Sequence, residues 1–176
     1  MERSQPRVLV AYGTKYGATG EIADHIGDTL RQAGCTVDVT AAGEVGPDLS
    51  AYDALVIGGA LYAGRWHRDA RRLARRARAR SHGRPVWLFS SGPLDDSAAR
   101  RDIDPVPGVR RLVDRLDARE HVTFGGRLDE NARGRMARMI VNSGRGGDFR
   151  DFDQITAWAE GIARELLALS DTARPG

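Results

Sequence analysis

The sequence predicts a doubly wound α/β domain, with a five-stranded parallel sheet in the order 2-1-3-4-5 and helices on both faces. Three observations predict it. Five short apolar runs alternate with stretches of helical periodicity. Most of those runs are continuously hydrophobic, the pattern of strands covered on both faces. The 176 residues are enough for one domain with a sizeable core, so a single domain is expected over residues 1–176. Right-handed crossovers leave few topologies, and five strands favour the stated order.

The elements follow in turn. Residues 7–12 form an apolar run ending at Gly13 and read as the first strand. Residues 18–33 place Ile22, Ala23, Ile26, Leu30 and Ala33 at helical spacing, and Gly34 stops the helix. Residues 36–40 alternate as a second strand, and residues 54–57 form a buried third strand that runs into Gly58 and Gly59. A helix from about Arg68 to Arg80 follows. Residues 85–89 make a fourth strand, residues 109–118 a helix, and residues 121–124 a fifth strand ending at Gly125 and Gly126. The closing helix, residues 152–169, carries Ile155, Trp158, Ile162, Leu166 and Leu169 on one face. Residues 131–142, with Met136, Met139 and Ile140, suit an extra short helix before it, joined by a flexible connection at residues 143–147.

Composition narrows the function classes. Hydrophobic residues at 41% and charged residues at 29% are ordinary for a soluble globular protein. No apolar run reaches the length of about 18 residues that suggests a membrane span. The opening residues 1–7 lack the apolar stretch of a secretory signal, so a cytoplasmic location is expected. Cys35 is the one cysteine, which rules out an internal disulfide. Lys15 is the one lysine among 27 basic residues, and the rest are arginines interspersed with 24 acidic residues. The densest basic run, Arg65 to Arg84, falls mainly on a predicted helix and reads as a solvated face, so no nucleic-acid partner is expected.

In an open parallel sheet, ligands bind beyond the carboxyl ends of the strands, at the switch point in strand order. Here that point lies between the first and third strands. After the first strand come Thr14, Lys15, Tyr16, Gly17, Ala18 and Thr19, a small hydroxylated loop that opens a helix. Amides at a helix N-terminus attract an anion, and the helix dipole adds to that. Gly17 allows close backbone approach, and the hydroxyls of Thr14 and Thr19 can donate to phosphate oxygens. The loop is neither a Walker motif nor the G-x-G-x-x-G dinucleotide fingerprint. After the third strand come Ala60, Leu61, Tyr62, Ala63 and Gly64. After the fourth come Ser90, Ser91, Gly92, Pro93 and Leu94. A flat ring system needs backbone donors at its edge and apolar or aromatic groups against its faces. Tyr62 and Trp66 are the candidates to flank such a ring.

Other constellations point elsewhere or nowhere. The four histidines lack metal-ligand spacing, and no metal site is expected. Asp95, Asp96, Asp151 and Asp153 read as turn and helix-cap residues. G-x-S-x-G is absent, which removes nucleophile-elbow hydrolase chemistry.

Taken together the three loops resemble the flavodoxin family. Its phosphate-loop pattern, [ST]-x-[ST]-G-x-[ST], is matched at Thr14, Gly17 and Thr19 and departs at Tyr16, where one phosphate donor is lost. Residues 56–67, 88–94 and 146–154 are similar to the corresponding stretches of flavodoxin-type, menaquinone-dependent protoporphyrinogen oxidases and of unassigned actinobacterial flavodoxin-domain proteins. The resemblance implies the flavodoxin-like fold and FMN, held by the three loops. It implies electron transfer between FMN and a quinone-type or other small-molecule substrate, with at most peripheral membrane contact. Plain electron transfer needs no acid or base, and no catalytic residue is named. Two alternatives stay open. One is an electron carrier for a protein partner such as a reductase, although carriers of that family are usually acidic and this chain is +3. The other is a flavodoxin fold that has lost its cofactor and serves as a binding or regulatory domain, the reading that Tyr16 keeps in play.

Overall fold

The computed structural model describes residues 5–15, 17–80, 83–92, 97–128 and 147–173. Its strands are β1 (Arg7–Gly13), β2 (Thr36–Ala41), β3 (Ala54–Tyr62), β4 (Arg65–Trp66), β5 (Val86–Ser91), β6 (Glu120–Phe124), β7 (Arg127–Leu128) and β8 (Gly147–Asp148). Its helices are α1 (Ala18–Gln32), α2 (Arg68–Arg80), α3 (Ser97–Arg100), α4 (Pro107–Leu116) and α5 (Phe152–Thr172).

Five strands pair in parallel in the order β2-β1-β3-β5-β6, which is the expected 2-1-3-4-5 arrangement. The register sets like on like: Val8 opposes Val37 and Ala54, and Ile57 opposes Leu88. Side chains alternate across each strand and so feed two cores. Val8, Val10, Val56, Trp87 and Phe89 pack under α1 and α5, against Ile22, Ile26, Ile155 and Ile162. Leu9, Ala11, Leu55, Ile57 and Leu88 pack under α2 and α4, against Leu73, Ala77, Val109 and Leu112. Aromatic rings finish the first core, where Trp158 meets Phe89 and Phe124 edge-on at 6.1 and 5.6 Å. Cys35 is buried there, and burial raises its thiol pKa, as suits a packing residue.

Several features differ from the sequence expectation. The third strand does not stop at Gly58; it continues to Tyr62 and folds back as the two-residue β4. The turn uses Ala63 and Gly64, both with positive φ. The glycine pair ends nothing because it serves packing. A Cβ on Gly58 would stand 1.9 Å from Cζ of Phe89, and one on Gly59 would stand 2.4 Å from Cγ of Trp66. One glycine therefore opens each face of the central strand to an aromatic ring. The two-stranded β7–β8 sheet and α3 are further elements that the sequence did not predict. The extra helix expected over residues 131–142 lies outside the described residues.

Gly58→Ala is expected to lower stability by about 2 kcal/mol or more, because the ring of Phe89 has no room to retreat. The measurement is the urea midpoint at unchanged slope. A variant as stable as the parent would refute this packing account.

Candidate functional site

β1 delivers the chain to Gly13, where a Cβ would stand 2.8 Å from that of Ala70 at the start of α2. The turn that follows is set by its own residues. Thr14 Oγ1 accepts a hydrogen bond from the Gly17 amide at 3.1 Å. Gly17 sits at φ 88 in the left-handed region, which a side chain would strain. Its carbonyl accepts from the amides of Gly20 and Glu21, which starts α1. Among the described residues no side chain caps that start. The amides of Ala18 and Thr19, ahead of those two bonds, have no acceptor within the helix, so α1 opens as a positively polarised end at the switch point between β1 and β3. Thr14 is half-buried, Lys15 is exposed, and Thr19 and Ala18 are buried.

The second segment meets this turn directly. Tyr62 Oη accepts a hydrogen bond from the Lys15 amide at 2.8 Å, and its ring packs edge-on against His67 at 6.3 Å. Ala60 and Leu61 belong to β3, with Ala60 buried, while Ala63 and Gly64 form the exposed tip of the hairpin. Gly92 follows β5 beside Leu61, whose Cβ would lie 3.0 Å from a Cβ placed there. The turn, the hairpin and Gly92 therefore converge at the carboxyl end of the sheet, beyond β1, β3 and β5. Tyr16, Pro93, Leu94, Asp95 and Asp96 lie outside the described residues.

Two expected site residues turn inward. Trp66 is 2% exposed and lies over Gly59, so it cannot flank a ring at the strand ends. Ser90 is 1% exposed and belongs to β5, as does the buried Ser91. Trp66 Nε1 donates to Ser90 Oγ at 2.8 Å, and Ser90 Oγ lies 2.9 Å from His121 Nε2. Because the serine oxygen already accepts from the indole, its own proton suits a neutral His121 with Nε2 as acceptor. This chain fastens the β3–β4 hairpin to β5 and β6 and leaves the Ser90 hydroxyl no role toward a ligand. Tryptophan and serine in a small loop read as ligand contacts until the glycine that receives the indole is known.

Reasoning from sequence also missed Arg150. Its side chain is 5% exposed, and two of its nitrogens meet Asp148, at 2.8 and 2.7 Å. It also pairs with Glu21 in the first turn of α1, and Glu21 takes Arg127 at 3.0 Å as well. Arg150 holds the Asp148 carboxyl below the usual range, and Asp148 with Glu21 raises the Arg150 guanidinium. The two-stranded β7–β8 sheet and the approach to α5 are thus clamped to the helix whose open end borders the turn. Asp151 accepts from the amides of Asp153 and Gln154 and caps α5, as its sequence position suggested.

Residues 9–146 match the model of a family described as a flavodoxin domain. No curated protein matches the sequence. Among solved structures, the chain is similar to a rubredoxin oxygen:oxidoreductase from the anaerobe Desulfovibrio gigas. The TM-score is 0.63 at 14% identity, over 93% of this chain and 37% of that one. It is similar to a short-chain flavodoxin associated with a non-canonical PDU bacterial microcompartment, with TM-score 0.62 and 14% identity over 92% and 99% of the two chains. It is also similar to oxidised flavodoxin 2 from Bacillus cereus, with TM-score 0.61 and 18% identity over 90% and 99%. At these identities the structural likenesses establish the fold, and the family model carries the assignment. Among the described residues no helix is long and apolar enough to cross a membrane.

The Ser90–His121 contact makes a pH prediction. Burial lowers the His121 pKa from 6.5 to about 4, and the Arg110 charge adds to this. Below pH 6.5 the unfolded chain takes up a proton that the folded chain refuses, so stability is present above that pH and is lost toward pH 4. The loss is of order 2 kcal/mol after allowance for partial exposure. Chemical denaturation across this range is expected to fall more steeply for the parent than for His121→Gln. Parallel profiles would refute the assignment.

Proposed function

Because the chain belongs to the flavodoxin domain family, we propose that it is an FMN-dependent oxidoreductase that passes electrons between FMN and a small-molecule or quinone-type substrate. Family membership implies FMN and an electron donor or acceptor. The observation that carries the residue-level reading is the uncapped start of α1 at the switch point, with Gly17 in the left-handed region. A phosphate group suits such an end, since it supplies acceptors to unpaired amides and a negative charge to the dipole.

The chain's own residues divide the work. The amides of Ala18 and Thr19 and the hydroxyls of Thr14 and Thr19 would hold the phosphate, Gly17 would let the backbone approach it, and Lys15 and Tyr16 belong to the same segment of sequence. Tyr62 would border the ring, and its bond to the Lys15 amide ties the two turns into one frame. Backbone groups of Ala60, Leu61, Ala63 and Gly64 on one side, and of Ser91, Gly92, Pro93 and Leu94 on the other, would meet the ring edge. Ser90 would contribute main chain alone, because its hydroxyl is committed to Trp66 and His121. When bound, FMN supplies one- and two-electron chemistry. The protein's part is to hold it and to shape access for the second reactant, and no side chain is required as acid or base.

Titration of the purified protein with FMN, followed by flavin absorbance and fluorescence, is expected to saturate at one equivalent. Thr14→Val and Thr19→Val are each expected to weaken FMN by about tenfold or more, the size of a lost hydrogen bond to a charged group. Riboflavin, which lacks the phosphate, is expected to bind parent and variants alike. Failure of FMN to bind would eliminate the flavin reading and leave a cofactor-free binding domain. Turnover with a protein reductase but with no quinone or small molecule would favour the carrier.

A further inference from the structure

α2 and α4 lie side by side on one face of the sheet, and between them is a cleft of about 330 Å³. Its floor is apolar, formed by the buried Trp66, Val109 and Leu112. Its walls are cationic. Arg71 and Arg75 come from α2, Arg111 and Arg115 from α4, and Arg65 from β4. Each helical pair is spaced i,i+4, which puts both members on one side of their helix. Two arginine pairs therefore border the same space.

The cluster differs from the ion-paired arginines elsewhere in the chain in how it is neutralised. Arg7, Arg31, Arg110, Arg119, Arg127 and Arg150 each pair with a carboxylate. No acidic residue lines the cleft. Among the described residues none of its five arginines makes an ion pair with a carboxylate. The Nε of Arg71 is buried and without a hydrogen-bond partner among those residues, a state that disfavours the bare cleft. Arg111 Nε donates to the Pro107 carbonyl at 3.2 Å, which steadies one wall. Guanidinium groups that converge without counter-charge repel one another, and an oxyanion between them removes that repulsion while taking several donors at once.

We propose that this cleft binds a small molecule carrying two or more carboxylate or phosphate groups. Its volume is at the small-molecule scale and its apolar floor suits a compact body between the charged ends. The site is built from α2, α4 and β4, and it does not require the flavin reading of the strand ends.

The test is calorimetric titration of the full chain with inorganic pyrophosphate and, separately, with citrate in 0.15 M salt, with tryptophan fluorescence as a second signal from Trp66. Saturable one-site binding is expected, and which of the two anions binds tells phosphate from carboxylate recognition. Arg71→Gln/Arg111→Gln and Arg75→Gln/Arg115→Gln are each expected to weaken it by about tenfold or more, while Arg72→Gln/Arg78→Gln, which removes equal charge from α2 outside the cleft, stays within about twofold. Thermal melting checks that each variant folds. Neither anion saturating would overturn the proposal, as would equal losses in the control variant. So would tighter binding, through the same arginines, of a polyglutamate peptide or a single-stranded oligonucleotide, because the cleft would then serve a macromolecule.

Discussion

The candidate site depends on the absence of two side chains in the middle strand. β3 is flanked by β1 and β5, and at Gly58 and Gly59 its two faces are ceded to neighbours. The ring of Phe89 lies on one face and the indole of Trp66 on the other. Trp66 reaches that place because β3 continues past the glycines and folds back as β4. Its indole then holds Ser90, and Ser90 holds His121 on the next strand but one from β3. The same hairpin carries Tyr62 to the Lys15 amide. Packing at two glycines thus sets where the hairpin stands, and the hairpin sets one wall beside the turn that opens α1. A methyl group at either glycine would act at a distance, by lifting a ring and with it the wall.

Much of this was legible. Continuous apolar runs and helical periodicity gave the five parallel strands, their order and all the long helices, with α2 at its expected bounds. That residues 14–19 join a strand to a helix was legible from the apolar run before them and the helical period after them, and small, hydroxylated residues there have a direct physical use toward an anion. What escaped depends on partners distant in sequence. Glycines after an apolar run read as a strand end, and only the ring across the sheet reveals them as a place made for packing. Ser90 and Trp66 read as ligand contacts for the same reason, since each is satisfied by the other. β4, β7 and β8 have two residues apiece, too few for any period to register. Arg150 sits 129 residues from Glu21, and nothing in its neighbourhood of glycine and aspartate marks it as the buried arginine.

Charge shows the same division between what a chain lists and what a fold assembles. The net charge of +3 is small, and the arginine run over α2 looks like a solvated face. The i,i+4 spacing puts Arg71 with Arg75 and Arg111 with Arg115. Spacing could not say that the parallel order of β3 and β5 brings their following helices into contact, nor that no acidic residue would line the space between them. Local potential follows from that sorting. Arg150 is deeply buried yet balanced by Asp148 and Glu21, so its charge is spent on holding β8 and α1 together. The cleft arginines are nearer solvent and unbalanced, so their charge remains available to a ligand. In this fold the buried side chain of Arg150 is structural, and the unbalanced arginines of the cleft carry the capacity to recognise an anion.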